Sequence, residues 1–364
     1  MTTRSGPGHG RSDSSLSAVT SERYALTNLA YRMLGSLAEA EDAVQEAYAR
    51  WYAMTRQQQQ AIESPGAWLT KVTGRVCLDL LGSARVRRER YVGEWLPEPL
   101  PDNAEWMTQQ PGAEGDPADR VTLDESVSMA FLVVLDSMTP AERVAFVLHD
   151  VFGYPFADVA EIVGRTPGAC RKLASSARQR IHAARPPAGP RAHQADIVRD
   201  FKQAWEAKDI NALIRLLDPD AVMTADGGGL VAAALRPIEG REKLARYAFG
   251  IADKVSGVTI LERSVNGQPG LVVQQAGATV TVLAFTVTAS RITHIWAVRN
   301  PDKLRSWSAE GQVPLTGMRR DHHGAAALDQ MSGGTGLAIG TGCHIVWLLS
   351  AVGRGAPNAI GQAR

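Results

Sequence analysis

The chain has 364 residues, and because typical domains hold about 150 residues, this length predicts two or three cores. Hydrophobic residues make up 45% and charged residues 21% of the sequence, and the mean hydropathy is -0.14, which excludes a membrane protein and a chain that is disordered throughout. The 39 Lys and Arg residues nearly balance the 38 Asp and Glu residues, and a net charge of +1 by itself argues against a nucleic-acid binder.

Cysteine usage and the two ends of the chain indicate a cytoplasmic location. Cys77, Cys170 and Cys343 are odd in number and far apart, so we expect neither a disulfide framework nor a metal knuckle. Residues 1–17 are polar, unlike a secretory signal, and predict a loose tail. The apolar run 345–349 is far shorter than the ~18 residues of a membrane-spanning helix, so we expect a soluble chain with no membrane partner.

The first part of the chain has helical periodicity in three segments. Apolar residues recur at helical spacing over residues 26–34 and again over 40–51. The second segment leaves a polar outer face that includes Asp42, Gln45 and Glu46. Ser64-Pro65 predicts the start of a third helix, as an N-cap followed by a first-turn proline.

Two charge blocks of opposite sign follow. Residues 71–90 contain six bases and two acids, a net charge of +4. Residues 94–125 contain nine acids and one base, a net charge of -8. This segment also contains five prolines, and the composition predicts an extended linker. Either run alone is as often a solvated surface as a functional one, but their adjacency favours function.

The strongest local pattern is typical of a helix-turn-helix. Thr139-Pro140 starts one helix and residues 156–163 predict a second. Ala160 and Gly164 supply the small residue and the turn glycine that two closely packed helices need. Thr166-Pro167 then opens a third helix, whose buried stripe includes Cys170 as a core thiol.

The outer face of this third helix is basic. Residues 164–185 contain six bases and no acid, which suits contacts to phosphates first and base edges second in a major groove. A plain surface helix is the alternative. After a Pro-rich linker, helices over residues 197–251 precede four strands over residues 258–299, which predicts an α+β domain.

Three motifs occur in order between residues 20 and 185: Asp42-Ala43-Val44-Gln45-Glu46, then Ala67-Trp68-Leu69 leading to Cys77-Leu78-Asp79, then Thr139-Pro140-Ala141-Glu142-Arg143 with the helix-turn-helix. Together they resemble the sigma-70 family of bacterial transcription initiation factors, and more closely its extracytoplasmic-function group. The resemblance implies two all-α modules. Region two would hold core RNA polymerase through Asp42, Gln45 and Glu46 and capture the minus-ten promoter element, and region four would read the minus-thirty-five element.

The resemblance and the charge pattern assign promoter DNA contacts to both modules. Trp68 is a candidate stacking platform for a single-stranded base, although a core position is the commoner fate of a tryptophan. Family members commonly carry arginines just after the minus-ten aspartate, whereas Leu80 and Gly82 follow Asp79 here, so melting is expected to depend more on later arginines. The DNA-binding set is Trp68, Arg75, Asp79, Arg85, Arg87, Arg88, Thr166, Arg171, Lys172, Ser175 and Arg178.

Three further motifs are Tyr91-Val92-Gly93-Glu94-Trp95-Leu96-Pro97-Glu98-Pro99, Asp226-Gly227-Gly228-Gly229 and Asn300-Pro301-Asp302-Lys303-Leu304. Together they resemble a subgroup of these factors that carries a C-terminal SnoaL-like domain. The resemblance implies that this cone-shaped domain folds back and regulates the sigma modules in cis, in place of an anti-sigma protein. Leu230 stands where a basic residue often follows the glycines. The motifs give the regulatory residues Trp95, Leu96, Pro97, Glu98, Pro99, Asp226, Gly227, Gly228, Gly229, Asn300, Pro301, Asp302, Lys303 and Leu304.

Two other functions remain open on the sequence. A helix-turn-helix regulator with a ligand-sensing C-terminal domain fits the same pattern, and the cone could hold a small ligand. Catalysis in the cone would use Asp226, His294 and Arg299, but their spacing places no convincing acid–base pair, so we expect no enzyme and no cofactor. His322-His323 has no further ligand at metal-site spacing, so no metal site is expected.

The predicted architecture is therefore multidomain: two all-α sigma modules followed by an α+β SnoaL-like cone. The predicted segments are a disordered tail 1–20, region two 21–91, an acidic linker 92–125, region four 126–185, a linker 186–194, the cone 195–305 and a disordered Gly-rich tail 306–364.

Overall fold

The computed structural model describes residues 10–88, 91–101, 127–184, 191–254 and 257–307. None of the helices in these ranges combines the length and the apolar composition that a membrane crossing requires. The helices of the first half are α1 (Gly10–Leu34), α2 (Leu37–Ala53), α3 (Arg56–Gln60), α4 (Pro65–Arg88), α5 (Met129–Asp136), α6 (Pro140–Phe146), a π-helical turn (Val147–Val151), α7 (Phe156–Val163) and α8 (Pro167–Ala184).

Both sigma modules share one hydrophobic core. It contains Leu34 and Cys77 from the first four helices and Phe146 and Ile162 from the later ones. A buried arginine joins the two halves: Arg143 is 2% exposed, and its Nη1 donates to the Met33 carbonyl at 2.8 Å. The two all-α modules that the sequence predicts are therefore packed against each other.

The helix-turn-helix forms from local signals. The Thr139 hydroxyl accepts a hydrogen bond from the Glu142 backbone amide, and the Glu142 carboxylate accepts one from the Thr139 backbone amide. The two bonds form a capping box. Gly164 ends α7 in the left-handed region with φ 69°, which a glycine adopts without a Cβ penalty. The Thr166 hydroxyl then accepts from the Ala169 amide at 3.2 Å and starts α8, as the sequence predicts.

The C-terminal part is an α+β domain with one six-stranded sheet of order β2-β1-β6-β5-β4-β3. Strand β1 runs parallel to β6, and the other neighbours are antiparallel. Its elements are α9 (Arg191–Glu206), α10 (Ile210–Leu216), β1 (Leu217–Asp226), β2 (Ile238–Glu239), α11 (Arg241–Lys254), β3 (Val258–Val265), β4 (Gln268–Gln275), β5 (Ala278–Thr288), β6 (Arg291–Val298) and two 3-10 turns (Pro301–Lys303, Arg305–Trp307).

The two faces of the sheet have different partners. The inner face packs against α9, α10 and α11, with Leu271, Phe285 and Ala297 in that core. The outer face forms a second core with Leu96 of the linker and Met129 of α5. The domain therefore contacts both the linker and the first helix of region four.

Four predicted boundaries differ from the structure. Helix α1 begins at Gly10, so residues 10–20 are helical, because extending an existing helix costs far less free energy than nucleating one. Helix α9 begins at Arg191 inside the predicted 186–194 linker. Strand β1 was not predicted from the sequence. The last 3-10 turn ends at Trp307, beyond the predicted end of the domain at residue 305. Of the predicted tails 1–20 and 306–364, residues 1–9 and 308–364 lie outside the described residues.

The central segment of the described linker is buried, although Val92 and Gly93 before it are exposed. Residues 96–100 are all buried, in an extended segment between region two and the sheet. The Glu98 amide donates to the Gly35 carbonyl at 2.8 Å on one side, and the Asn266 amide donates to the Leu100 carbonyl at 2.8 Å on the other. Residues 102–126, which carry most of the acids, lie outside the described part.

Candidate nucleic-acid interface and interdomain contacts

The basic face of α4 is turned towards the helix-turn-helix. Lys71 forms an ion pair with Glu161 of α7, and the Arg75 Nη2 donates to the Glu161 carbonyl at 2.9 Å. Gly74, between them, is buried against Ile162, and a Cβ added there would lie 2.9 Å from the Ile162 Cγ2 atom. A side chain at position 74 would push the two helices apart.

The other predicted minus-ten residues are in different surroundings. Trp68 is half-buried, packs against the shared core and lies 5.4 Å from the Trp51 ring between centroids, which favours a core role over a free stacking platform. Asp79 is exposed. The side chains of Arg85, Arg87 and Arg88 lie outside what the structure describes.

The outer face of α8 is accessible. Arg171, Lys172 and Ser175 are exposed, and the Arg171 guanidinium lies 5.5 Å from the centre of the Phe156 ring. Arg178 is already engaged, because its Nε donates to the Asp150 carboxylate at 2.5 Å. The accessible part of the predicted recognition face is therefore limited to the first two turns of α8. Thr166 caps the start of that helix.

The polar face of α2 is also accessible. Asp42, Gln45 and Glu46 are exposed, while Ala43 and Val44 between them are buried in the core. The three residues that resemble the polymerase-binding motif thus share a free surface on the side of α2 away from its packing.

Asp226 is the centre of the contact between the C-terminal domain and the linker. Its side chain has no exposed area, yet its carboxylate accepts four hydrogen bonds. The Tyr91 hydroxyl donates at 2.6 Å and the Leu96 amide at 3.0 Å from the linker. The Gly228 amide donates at 2.9 Å and the Lys303 Nζ at 2.7 Å from the domain itself. We call Tyr91, Trp95, Leu96, Asp226, Asn300 and Lys303 the latch.

Lys303 completes the charge balance of the latch. Its side chain is 10% exposed, and its Nζ also donates to the Leu96 carbonyl at 2.5 Å. The ammonium lies 4.1 Å from the centre of the Trp95 ring, within range of a cation–π interaction. Burial raises the pKa of the Tyr91 hydroxyl, and its hydrogen bond to Asp226 acts in the same direction.

The glycines after Asp226 allow close approach. A Cβ at Gly228 would lie 2.4 Å from the Asn300 Nδ2 atom, and one at Gly229 would lie 3.0 Å from the Val92 Cβ atom. The Asp226 carboxylate, rather than the backbone of this turn, accepts the hydrogen bonds from the linker. Leu230, the departure from the family pattern, is 62% exposed.

Three contacts of the linker were not predicted. The Asn266 Nδ2 donates to the Tyr31 hydroxyl at 2.8 Å, and that hydroxyl donates to the Glu98 carbonyl at 2.7 Å. The Trp307 Nε1 donates to the Pro99 carbonyl at 2.8 Å. Asn266-Gly267 is a recognisable hairpin signal, but nothing in the sequence indicates that the turn reaches α1.

The remaining sequence candidates are not brought together. The register pairs Val222 with His294 and Asp226 with Val298, so His294 is four strand positions, or about 13 Å, from Asp226. The Asp226 carboxylate is fully occupied by the latch. Among the residues that the structure describes, no group of His, Cys, Asp and Glu could hold a metal ion, and His322-His323 lies outside them.

We predict that Asp226→Ala releases the linker from the domain. The change leaves the Lys303 ammonium buried without its carboxylate, which typically costs about 3 to 5 kcal/mol. Hydrogen exchange of the Leu96 amide, followed by mass spectrometry, should become at least about 100-fold faster. Asp302→Ala, which removes an exposed ion pair with Arg305, is the matched control and should leave the exchange unchanged.

We also predict that the linker contact weakens as pH rises. Burial raises the pKa of Glu98 to about 7, and hydrogen bonds from the Leu37 amide and the Ser36 hydroxyl offset this only in part. Lys303 and Glu41 are its charged neighbours. Because the closed form favours the protonated acid, its stability is greatest below the ordinary value of 4.5 and falls as pH rises through about 7.

Small-angle scattering between about pH 5 and pH 8 tests this, and the radius of gyration should grow with pH. Glu98→Gln keeps a hydrogen-bond acceptor for Leu37 but has no charge to lose, so its profile should be flat. An unchanged pH dependence in that variant would contradict the assignment.

Comparisons with known proteins identify the family. The family model for Sigma-70 region 2 matches residues 18–87, and that for Sigma-70, region 4 matches residues 128–181. The chain is 36% identical over 315 residues to the ECF RNA polymerase sigma factor SigJ of Mycobacterium tuberculosis, covering 82% of this chain and 96% of SigJ. It is 35% identical over 298 residues to the probable ECF RNA polymerase sigma factor SigI of the same organism, covering 80% and 96%.

The likeness extends to the whole architecture. The crystal structure of M. tuberculosis SigJ matches with a TM-score of 0.62 and 32% identity, over 81% of this chain and 99% of that chain. The match therefore includes the two helical modules and the sheet domain that follows them. The chain belongs to the extracytoplasmic-function sigma factors of the sigma-70 family, the alternative sigma factors that direct core RNA polymerase to promoters, in the group with a C-terminal SnoaL-like domain.

Proposed function

We propose that the C-terminal domain holds this sigma factor in a closed state that core RNA polymerase opens, so that the domain acts in place of a separate anti-sigma protein. The proposed site of action is the cytoplasm, where core polymerase and promoter DNA are, and we propose no catalytic role for the chain. The observation that carries the proposal is the packing of α4, the minus-ten helix, against α7 of the helix-turn-helix.

Promoter geometry explains why this packing is inhibitory. The minus-thirty-five and minus-ten elements are about 25 base pairs apart, which is about 85 Å of B-form DNA at 3.4 Å per base pair. Two modules that share one core cannot reach both elements. Lys71 and Arg75 are also engaged by Glu161 rather than free for phosphates.

The latch stabilises this closed state from outside. It fixes the linker between the modules, and the outer face of the sheet packs on Met129 at the start of region four. Both sigma modules are therefore held by one rigid domain. A partner that binds only the open form shifts the equilibrium by its affinity for that form, and the free α2 face gives core polymerase a first contact.

The polymerase face gives one test. Replacing Asp42 and Glu46 with lysine reverses the charge of the exposed α2 surface without touching its buried positions. We expect the affinity for core polymerase, measured by fluorescence anisotropy, to fall about tenfold or more, the equivalent of about 1.4 kcal/mol. Glu63→Lys, at another exposed acid of region two, should bind as the unchanged chain does.

The contact between α4 and α7 gives the second test. Gly74→Ala introduces a Cβ into the Ile162 contact, and overpacking of this kind costs about 1 to 3 kcal/mol. We expect a larger radius of gyration and more run-off transcript with core polymerase, on promoters selected with the holoenzyme.

The control uses the same helix. Gly82→Ala adds the same methyl group where nothing lies within 4 Å, so it should change neither measurement. Equal transcription by both variants and the unchanged chain would remove the closed-state mechanism. Absence of any transcript from selected promoters would instead remove the assignment as an active sigma factor.

A further inference from the structure

Arg299 has a half-buried charge that no carboxylate balances. It follows β6, and its Nη1 donates to the Ala232 carbonyl. Two other shielded cations have acidic partners: Arg143 pairs with Asp136, and Lys303 pairs with Asp226. Within the described ranges Arg299 has no such partner, and the contact with Ala232 is the hydrogen bond that its guanidinium makes there.

Arg299 follows a strand that contributes to the inner core of the domain. Ala297, two residues earlier on the strand, belongs to the inner core, and strand alternation places Arg299 next on the same side. Tyr247 of α11 and Ala233 and Ala234 of the loop after β1 pack against that core. Burial lowers the pKa of Arg299, and the Tyr247 hydroxyl acts in the opposite direction.

We propose that the C-terminal domain binds a small amphipathic carboxylate at Arg299. The guanidinium carries five N–H donors in a planar fork that fits a carboxylate with two parallel bonds, and one interaction with Ala232 leaves such an edge available. The apolar body of the ligand packs against Tyr247, Ala233 and Ala234. The ligand is thus an organic monoanion with a hydrocarbon part.

The site is connected to the latch through the backbone. The Arg299 and Asn300 amides both donate to the Asp226 carbonyl, at 2.7 and 3.0 Å. The loop that Arg299 holds through Ala232 begins with the glycines that touch Val92 and Asn300. A carboxylate bound to the available edge of this guanidinium therefore acts on a loop that ends at the latch. This coupling rests on the proposed function, whereas the binding itself does not.

The test titrates the full-length chain with octanoate by calorimetry, with octanamide as the uncharged analogue. Octanoate should saturate one site, and octanamide should bind at least about tenfold more weakly, because a hydrogen-bonded charge pair is lost. The comparison uses the unaltered chain, so it does not depend on a variant that folds. Equal binding of the two, or no saturable octanoate binding at millimolar concentration, overturns the proposal.

Two variants locate the site. Arg299→Gln keeps an N–H donor for the Ala232 carbonyl but removes the charge, and octanoate affinity should fall at least about tenfold. Arg291→Gln is the matched control, because Arg291 lies at the other end of β6, is exposed and also donates to backbone carbonyls. Unchanged affinity in Arg299→Gln, or an equal loss in Arg291→Gln, places binding elsewhere and overturns the assignment.

Run-off transcription separates binding from coupling. Octanoate should raise the transcript made by the unaltered chain and leave that of Arg299→Gln unchanged. Saturable binding without a change in transcript would disprove the coupling and leave the site intact. Failure of the Gly74 test together with saturable, Arg299-dependent binding would disprove the closed-state function and again leave the site intact.

Discussion

The closed arrangement depends on one buried carboxylate. Asp226 has no exposed area, and its charge is compensated by donors from two parts of the chain, the linker and the C-terminal domain. A buried ion is tolerated only while its pairing is complete, so the loss of one partner makes the others less favourable. The contact should therefore behave as a two-state latch rather than as a graded spring, and the linker is either fixed or free.

The latch affects the three functional faces differently. Part of the α4 face contacts Glu161 of α7, whereas the α2 face and the first turns of α8 stay accessible. In the proposed mechanism, polymerase contact and duplex contact precede the opening that frees the minus-ten helix. Binding energy gained at the accessible faces is then available to offset the cost of separating a shared hydrophobic core, which ties promoter melting to the presence of the polymerase.

Sequence-based prediction succeeded where the stabilising interactions are local in the chain and failed where they join distant segments. Helix α7 was predicted over residues 156–163, as observed, because its cap, its periodicity and Gly164 are adjacent in the chain. Strand β1 was missed because two of its four inward residues are alanine, Pro219 interrupts it, and its parallel partner β6 lies about 70 residues later. Motif resemblance identified Asp226 and Lys303 for the latch, but Tyr31, Asn266 and Trp307 are joined to the linker only by folding.

The near-neutral net charge has a structural meaning that the sequence alone does not show. The basic face of α4 packs against a module that itself has a slight excess of bases, and unscreened like charges in contact are unfavourable. Here Glu161 of α7 meets Lys71 and Arg75 of α4, so the basic face of one module contacts an acid of the other. The same pairs are exposed and individually weak, and salt screens them further. Their role is thus to make the closed packing electrostatically acceptable while hydrophobic burial and the latch supply its stability, and DNA phosphates can replace Glu161 once the modules separate.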